Sequence, residues 1–139
     1  CGGDTASYRL AFLFMMCFVG MPTIFYGDEL GVQGIREEEY RAPMPWKGGD
    51  MALSGFFRKA IAMRHALSPL RDGTFQMLSA EEGSRVIRFR RDTGAASVTV
   101  AINAGNTDAA IPFSEETLYW AEGLQNGILS PGGFSVTYR

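Results

Sequence analysis

Two acids stand side by side at Asp28-Glu29, directly after the β-branched and aromatic run Thr23-Ile24-Phe25-Tyr26. In an α/β barrel the carboxyl ends of strands carry the chemistry. A pair of carboxylates that works as acid and base on one bond must flank that bond from the same side of the strand. This pair does not meet that need: neighbours on a strand point to opposite faces, so the two cannot flank one bond. They read instead as structural groups at the strand end together with Tyr26, Glu29 being a buried hydrogen-bonding residue. No catalytic carboxylate pair is assigned within this sequence. A second group of charges follows at Arg36-Glu37-Glu38-Glu39 and Arg41, the last leading into Ala42-Pro43-Met44-Pro45-Trp46. A carboxylate accepts and a guanidinium donates, so side by side they satisfy hydroxyls, which do both. Glu38 and Glu39 fit a solvated face as well as a site, whereas Arg41 before its rigid turn reads as functional. Trp46 reads as a packing anchor for the loop ahead of a stacking surface for a ring. Two Cys and the single His65 leave no metal-ligand set, and no cofactor is expected.

These groups hang on a run, Leu10 to Tyr26, that is apolar apart from Gly20, Pro22 and Thr23. Asp4-Thr5 can cap a helix from Ala6 to about Val19. Its later turns are apolar all round, which calls for neighbours on both faces that the rest of the chain is not expected to supply. Gly20 ends the helix, Pro22 forbids its return, and Thr23 to Tyr26 reads as a parallel strand covered on both sides. Gly27 to Asp50 is a long loop punctuated by glycine, of the kind that is functional or disordered, and Met44 and Trp46 favour order. Ser54 then caps a second helix from Gly55 to about Leu67, with Phe56, Phe57, Ala60, Ile61, Met63 and Arg64 on its apolar face.

After Gly73 the period changes to two. Thr74 to Leu78, Arg85 to Arg91, Ser97 to Asn103, Ala109 to Phe113, Thr117 to Trp120 and Phe134 to Tyr138 are strand-like, with a turn signal at Pro131-Gly132-Gly133 among others. The organisation is therefore α-β-loop-α over residues 1–72 and an antiparallel sheet domain over 73–139, with the boundary near Leu70 to Gly73.

The chain has 139 residues, 46% hydrophobic, with a formal net charge of −2. That composition is globular and gives no electrostatic case for nucleic acid. Arg88, Arg90 and Arg91 read as one solvated strand face, and Trp120 and Tyr119 as core and face residues. A membrane span needs about 20 apolar residues, and Gly20 with Pro22 cuts the run too early. Cys17 fits a small core residue. The absence of an initiator Met fits a processed or truncated chain, and Cys1-Gly2-Gly3-Asp4 also allows the start of a lipoprotein, a weaker reading without a linker behind it.

Three segments carry a resemblance. Gly20-Met21-Pro22-Thr23-Ile24-Phe25-Tyr26-Gly27-Asp28-Glu29-Leu30-Gly31 resembles the last barrel strand of the α-amylase family of glycoside hydrolases, where G-x-P-x-I-Y-Y-G-D-E-x-G recurs. Arg41-Ala42-Pro43-Met44-Pro45-Trp46 resembles the R-x-P-M-x-W segment of the following loop. Ile128-Leu129-Ser130-Pro131-Gly132-Gly133-Phe134 is similar to the L-x-P-x-G-F closing strand of the terminal domain. The resemblance implies α/β plus all-β: the last helix-strand-loop-helix portion of a (β/α)8 TIM barrel, followed by an antiparallel β-sandwich C-terminal domain. The loop points to the neopullulanase and cyclomaltodextrinase group, where an Asp four residues before that Arg helps it hold a glucose unit. Glu37 and Arg41 stand at those positions, Glu37 being longer by one methylene.

The parent so implied is a retaining hydrolase acting on maltodextrin, cyclodextrin or pullulan, with its catalytic acids upstream of Cys1. An α-glucan oligosaccharide or cyclodextrin is its expected partner, and a homodimer is possible in that group. The sequence does not fix the compartment, the resemblance favouring a cytoplasmic parent. The rival reading is a stand-alone carbohydrate-binding or structural β-domain without catalysis.

Overall fold

The computed structural model describes residues 2–80, 82–112 and 115–139. The expectations on Cys1 and on a strand reaching Phe113 fall outside them. Asp4 opens the first helix, α1 (Thr5–Cys17), its carboxylate accepting from the amides of Ala6 and Ser7. The helix ends two residues before Val19, with Phe18 donating back to the Phe14 carbonyl at 2.8 Å. A 3-10 turn (Asp28–Leu30) and a single-turn helix, α2 (Glu37–Tyr40), follow, then the long α3 (Met51–Ala66) and short α4 (Ser68–Asp72). The cap of α3 is Asp50, which accepts from Leu53 at 2.9 Å, and the expected cap Ser54 lies buried one turn into the helix. A cap sits where the chain enters the helix, and Gly48-Gly49 deliver it at Asp50.

Six antiparallel strands complete the chain: β1 (Thr74–Ala80), β2 (Val86–Asp92), β3 (Ser97–Asn103), β4 (Ala109–Ala110), β5 (Thr117–Gln125) and β6 (Ile128–Tyr138). They form one sheet in the order β1-β2-β3-β6-β4, with β5 pairing along β6. The expected two-layer sandwich is thus a single sheet among the described residues, and helices, not a second sheet, cover its inner face. The turn expected at Pro131-Gly132-Gly133 is instead part of β6. The chain reverses at Asn126-Gly127, both at positive φ (49° and 77°), which is the two-residue hairpin geometry this pair favours. At Pro131 to Gly133 the strand bends against a register shift between Glu122 and Leu124. A Cβ on Gly133 would stand 2.8 Å from the Ser130 carbonyl and 2.9 Å from that of Glu122, so backbone meets backbone there.

The later turns of α1 are covered from within the chain, contrary to expectation. One apolar cluster joins Leu10, Leu13, Met16 and Cys17 of α1 to Phe56, Phe57, Ala60 and Met63 of α3 and to Phe89, Val100, Phe134 and Val136 of the sheet. Trp120 closes one end, 5.0 Å from Phe56 and edge-on to Phe134 at 4.9 Å. Its other face carries the Lys59 ammonium at 4.3 Å. Arg9 ties α1 to β5 by an ion pair with Glu122 at 2.5 Å.

The Arg88-Arg90-Arg91 cluster does not share one solvated face. Strand alternation puts Arg91 beside Phe89 on the inner face, where it is 1% exposed. Its guanidinium donates to the carbonyls of Cys17 (3.0 Å), Phe18 (2.8 Å), Leu70 (2.9 Å) and Gly73 (2.8 Å). Arg64 of α3 reaches the same helix end, donating to Met16 (2.7 Å), Phe18 (3.2 Å) and Gly20 (2.7 Å). A helix terminus leaves its last carbonyls unpaired and negative, and two cations satisfy them here. Burial, then the neighbouring Arg64 charge, pulls the Arg91 pKa down from its ordinary value. Burial also pushes the Cys17 thiol up to about 12. No helix among the described residues is long and apolar enough to cross a membrane.

Candidate functional site

From Gly20 the chain leaves the core. The strand expected at Thr23 to Tyr26 is absent: a parallel strand needs a partner strand to accept its ladder, and among the described residues no strand pairs with this segment. Met21 is 92% exposed, and Ile24, Phe25 and Tyr26 are open as well. Gly27 then turns the chain with φ 90°, where a Cβ would strike Val32 Cγ2 at 2.9 Å. The 3-10 turn that follows anchors to α3 through the Asp50 amide, which donates to Leu30 at 3.0 Å.

The acids of this turn are occupied by backbone. Asp28 Oδ2 accepts from Phe25 N at 3.0 Å, and Glu29 Oε2 accepts from Gly27 N at 3.1 Å. Both therefore lock the corner and are half-buried. The Tyr8 hydroxyl donates to the Asp28 carbonyl at 3.3 Å, linking the corner to α1. Burial and the nearby Asp28 carboxylate push that phenol up to about 12. Tyr26 donates its hydroxyl to the Ala42 carbonyl at 3.2 Å and so holds the far end of the loop against the corner.

Between corner and loop opens a cleft of about 630 Å³. Ile24, Phe25 and Tyr26 form one wall, Met44 and Trp46 the other, and Met51, Phe57 and Ile61 of α3 the floor, with Glu29 and Arg58 at its polar margin. Trp46 is 87% exposed, so it does not anchor the loop by packing. It presents a bare ring to the cleft.

Glu37 and Arg41 meet. They sit four residues apart, Glu37 at the start of α2 and Arg41 just past its end, Arg41 Nη1 standing 2.9 Å from Glu37 Oε1, with both side chains more than 60% exposed. The adjacent Glu39 is spent on the helix start, its Oε2 accepting from the Ile35 and Arg36 amides, which lowers its pKa. Of the residues picked from the sequence, Tyr26 and Glu29 line the cleft, whereas Glu37 and Arg41 stand outside it. The corner and the cleft thus form one open surface of apolar floor and walls with a polar margin, and the ion pair is a separate exposed group. Such a surface suits a ring that offers C–H on its face and hydroxyls on its edge.

Sequence reasoning read Arg91 as solvated and gave Arg64 no role, yet the two fix the point where the chain leaves α1 for this face. The signal was present: Arg91 is two residues from Phe89 on a strand, and Arg64 falls on the apolar side of α3.

No family model matches the chain. It is 36% identical over 105 residues to neopullulanase 2 of Thermoactinomyces vulgaris, a match covering 74% of this chain and 18% of that protein. It is 37% identical over 110 residues to a cyclomaltodextrinase of a Bacillus species, covering 76% of this chain and 20% of that one. The chain so spans about one fifth of the length of these relatives. Among solved structures, the Nostoc punctiforme debranching enzyme superposes with a TM-score of 0.83 at 26% identity, over 98% of this chain and 32% of that one. In sequence and in fold, the chain matches the C-terminal part of α-amylase family glycoside hydrolases.

Proposed function

We propose that this chain is the closing portion of a retaining α-glucan hydrolase. Residues 1–72 supply the last part of its (β/α)8 barrel and residues 73–139 its C-terminal β domain. The observation that carries this reading is the uncovered apolar surface from Met21 to Tyr26 with Trp46 and Met51, beside a core that already packs α1, α3 and the inner face of the sheet together. A monomer rarely leaves such a contiguous patch bare. Thr23 to Tyr26 has the composition of a buried parallel strand, and neighbouring barrel strands would supply the missing ladder. The corner at Asp28-Glu29 then falls at the carboxyl end of that strand, the catalytic face of such barrels.

In this assembly the chain binds substrate and does not cleave it. Arg41 donates to the hydroxyls of a glucose unit, Glu37 accepts from them, and their mutual ion pair keeps both aimed in one direction. Maltodextrin, cyclodextrin or pullulan is the substrate class. The acids that protonate the leaving oxygen and form the glycosyl-enzyme come from the rest of the parent. Asp28 and Glu29 keep their structural part, bound to backbone amides.

Steady-state kinetics of the parent protein on maltodextrin test the assignment. Arg41→Ala is expected to lower kcat/KM by about tenfold to a hundredfold, the loss of one charged hydrogen bond at roughly 1.5–3 kcal/mol. An unchanged kcat/KM removes Arg41 from the site.

A second reading, a stand-alone carbohydrate-binding or structural β-domain, draws on the fact that one apolar cluster already joins α1, α3 and the sheet. It predicts a chain that stays monomeric in solution. Closure of a barrel predicts self-association of the isolated chain through the bare face, measurable by sedimentation.

A further inference from the structure

The outer face of the sheet holds a second cavity, of about 220 Å³, far in the sequence from the cleft already described. Its floor is polar. Glu116, its side chain 5% exposed, accepts from Arg90 Nη2 (2.9 Å), Thr99 Oγ1 (2.9 Å) and Thr137 Oγ1 (2.5 Å). The carboxylate is thereby held by one ion pair and two hydroxyls, and its oxygens are engaged. Two other groups on the cavity wall are not. Ser135 is only 5% exposed, yet its hydroxyl has no hydrogen-bond partner among the described residues. It is not among the fully enclosed unpaired atoms, so it opens into the cavity. Arg88 lines the same space, half-buried, and its guanidinium makes no hydrogen bond or ion pair among the described residues. Leu118, Leu124, Ile111 and Pro112 face these groups with apolar surface.

A buried hydroxyl without a partner costs free energy unless something binds it, and a cavity that pairs few polar groups with an apolar wall is the usual form of a small-molecule site. We propose that this cavity is a binding site for one ring of a neutral polyhydroxylated molecule, a pyranose at the end of a saccharide. Arg88 donates to its hydroxyl oxygens, Ser135 accepts from or donates to a neighbouring hydroxyl, and the C–H face lies on Leu118 and Leu124. The Glu116 carboxylate beneath disfavours an anion in the same place. The size admits one ring and not a chain lying flat. This site stands independently of the Glu37–Arg41 reading, since it uses no residue of the first cleft.

Methyl NMR of the chain titrated with maltose, and separately with inorganic phosphate, tests it. Maltose is expected to shift the Leu118, Leu124 and Ala101 methyls along a saturable curve, while Val100 and Val136 on the inner face stay put. Ser135→Val and Arg88→Met should each weaken that curve by about tenfold, the equivalent of ~1.4 kcal/mol. Arg88→Met carries the test on its own if the buried substitution unfolds the sheet. The proposal is overturned by maltose shifts confined to Met51 and Ile61 or by binding that both variants leave unchanged. It is equally overturned by shifts with phosphate in place of maltose, or by none with either.

Discussion

Replacing Arg91 by methionine tests how the helices are held on the sheet. The change keeps an unbranched apolar stem as far as the position of Nε and removes a guanidinium that serves four carbonyls within 3.0 Å. Phe18 retains Arg64 at 3.2 Å, so its carbonyl is not left alone. Among the described residues Cys17 and Leu70 have only Arg91 as a side-chain donor, and both of those bonds are buried. A buried polar group left unsatisfied costs roughly 1–3 kcal/mol, so two of them cost about 2–6 kcal/mol. Relief from burying a charge offsets part of this, and a net loss of about 3 kcal/mol is expected. Against a total of roughly 5–15 kcal/mol for a domain, that is a large fraction. Urea unfolding followed by circular dichroism reads it directly, with Arg91→Lys as a second variant that keeps the charge but reaches fewer carbonyls and falls between. A loss below about 1 kcal/mol for Arg91→Met would refute the reasoning, because water or a shifted backbone would then be satisfying those carbonyls.

Two further outcomes follow from the same geometry. Gly133→Ala places a methyl within 3 Å of two carbonyls, Ser130 in β6 and Glu122 in β5, and should destabilise by roughly 1–3 kcal/mol, read as a lower midpoint in the same urea experiment. Tyr8 has a folded pKa raised from 10.0 to about 12, so the protonated phenol is favoured by folding. Its contribution is fully present below pH 10 and is lost as pH rises towards 12. Wild type should therefore lose stability over that window by a margin that Tyr8→Phe does not show, and equal slopes in the two proteins would contradict the assignment.

Much of the fold was legible because local rules decided it. Asp4 begins α1 as its type requires, β3 spans Ser97–Asn103 as its alternation indicates, and Cys17 and Trp120 are buried as expected. Where the reading failed, a longer-range term had won. Pro131 and the glycines after it look like a turn, but a bend in a strand uses the same residues when a bulge lies opposite. The true turn, Asn126-Gly127, carries the strongest short-range hairpin signal and sits between two strands that were read too short. Thr23 to Tyr26 has strand composition without strand partners, and hydrogen bonding between strands is not a property of one segment. The cover over α1 comes from α3 and the sheet, contacts between residues far apart in the chain that periodicity does not report. Glu37 and Arg41 were found through motif spacing, and a helical turn brings them to 2.9 Å. Arg64 was placed on the apolar face of α3 without a role, and Arg91 was taken as a surface residue although its position marked the inward side.

The central claim is that this chain closes and binds for a hydrolase whose cleaving acids lie elsewhere. Release of reducing ends from β-cyclodextrin and maltodextrin, measured for the parent protein and for these 139 residues alone, addresses it most directly. The account predicts hydrolysis by the parent and none by the chain. Turnover by the chain alone, or a parent inert on every α-glucan, would contradict it.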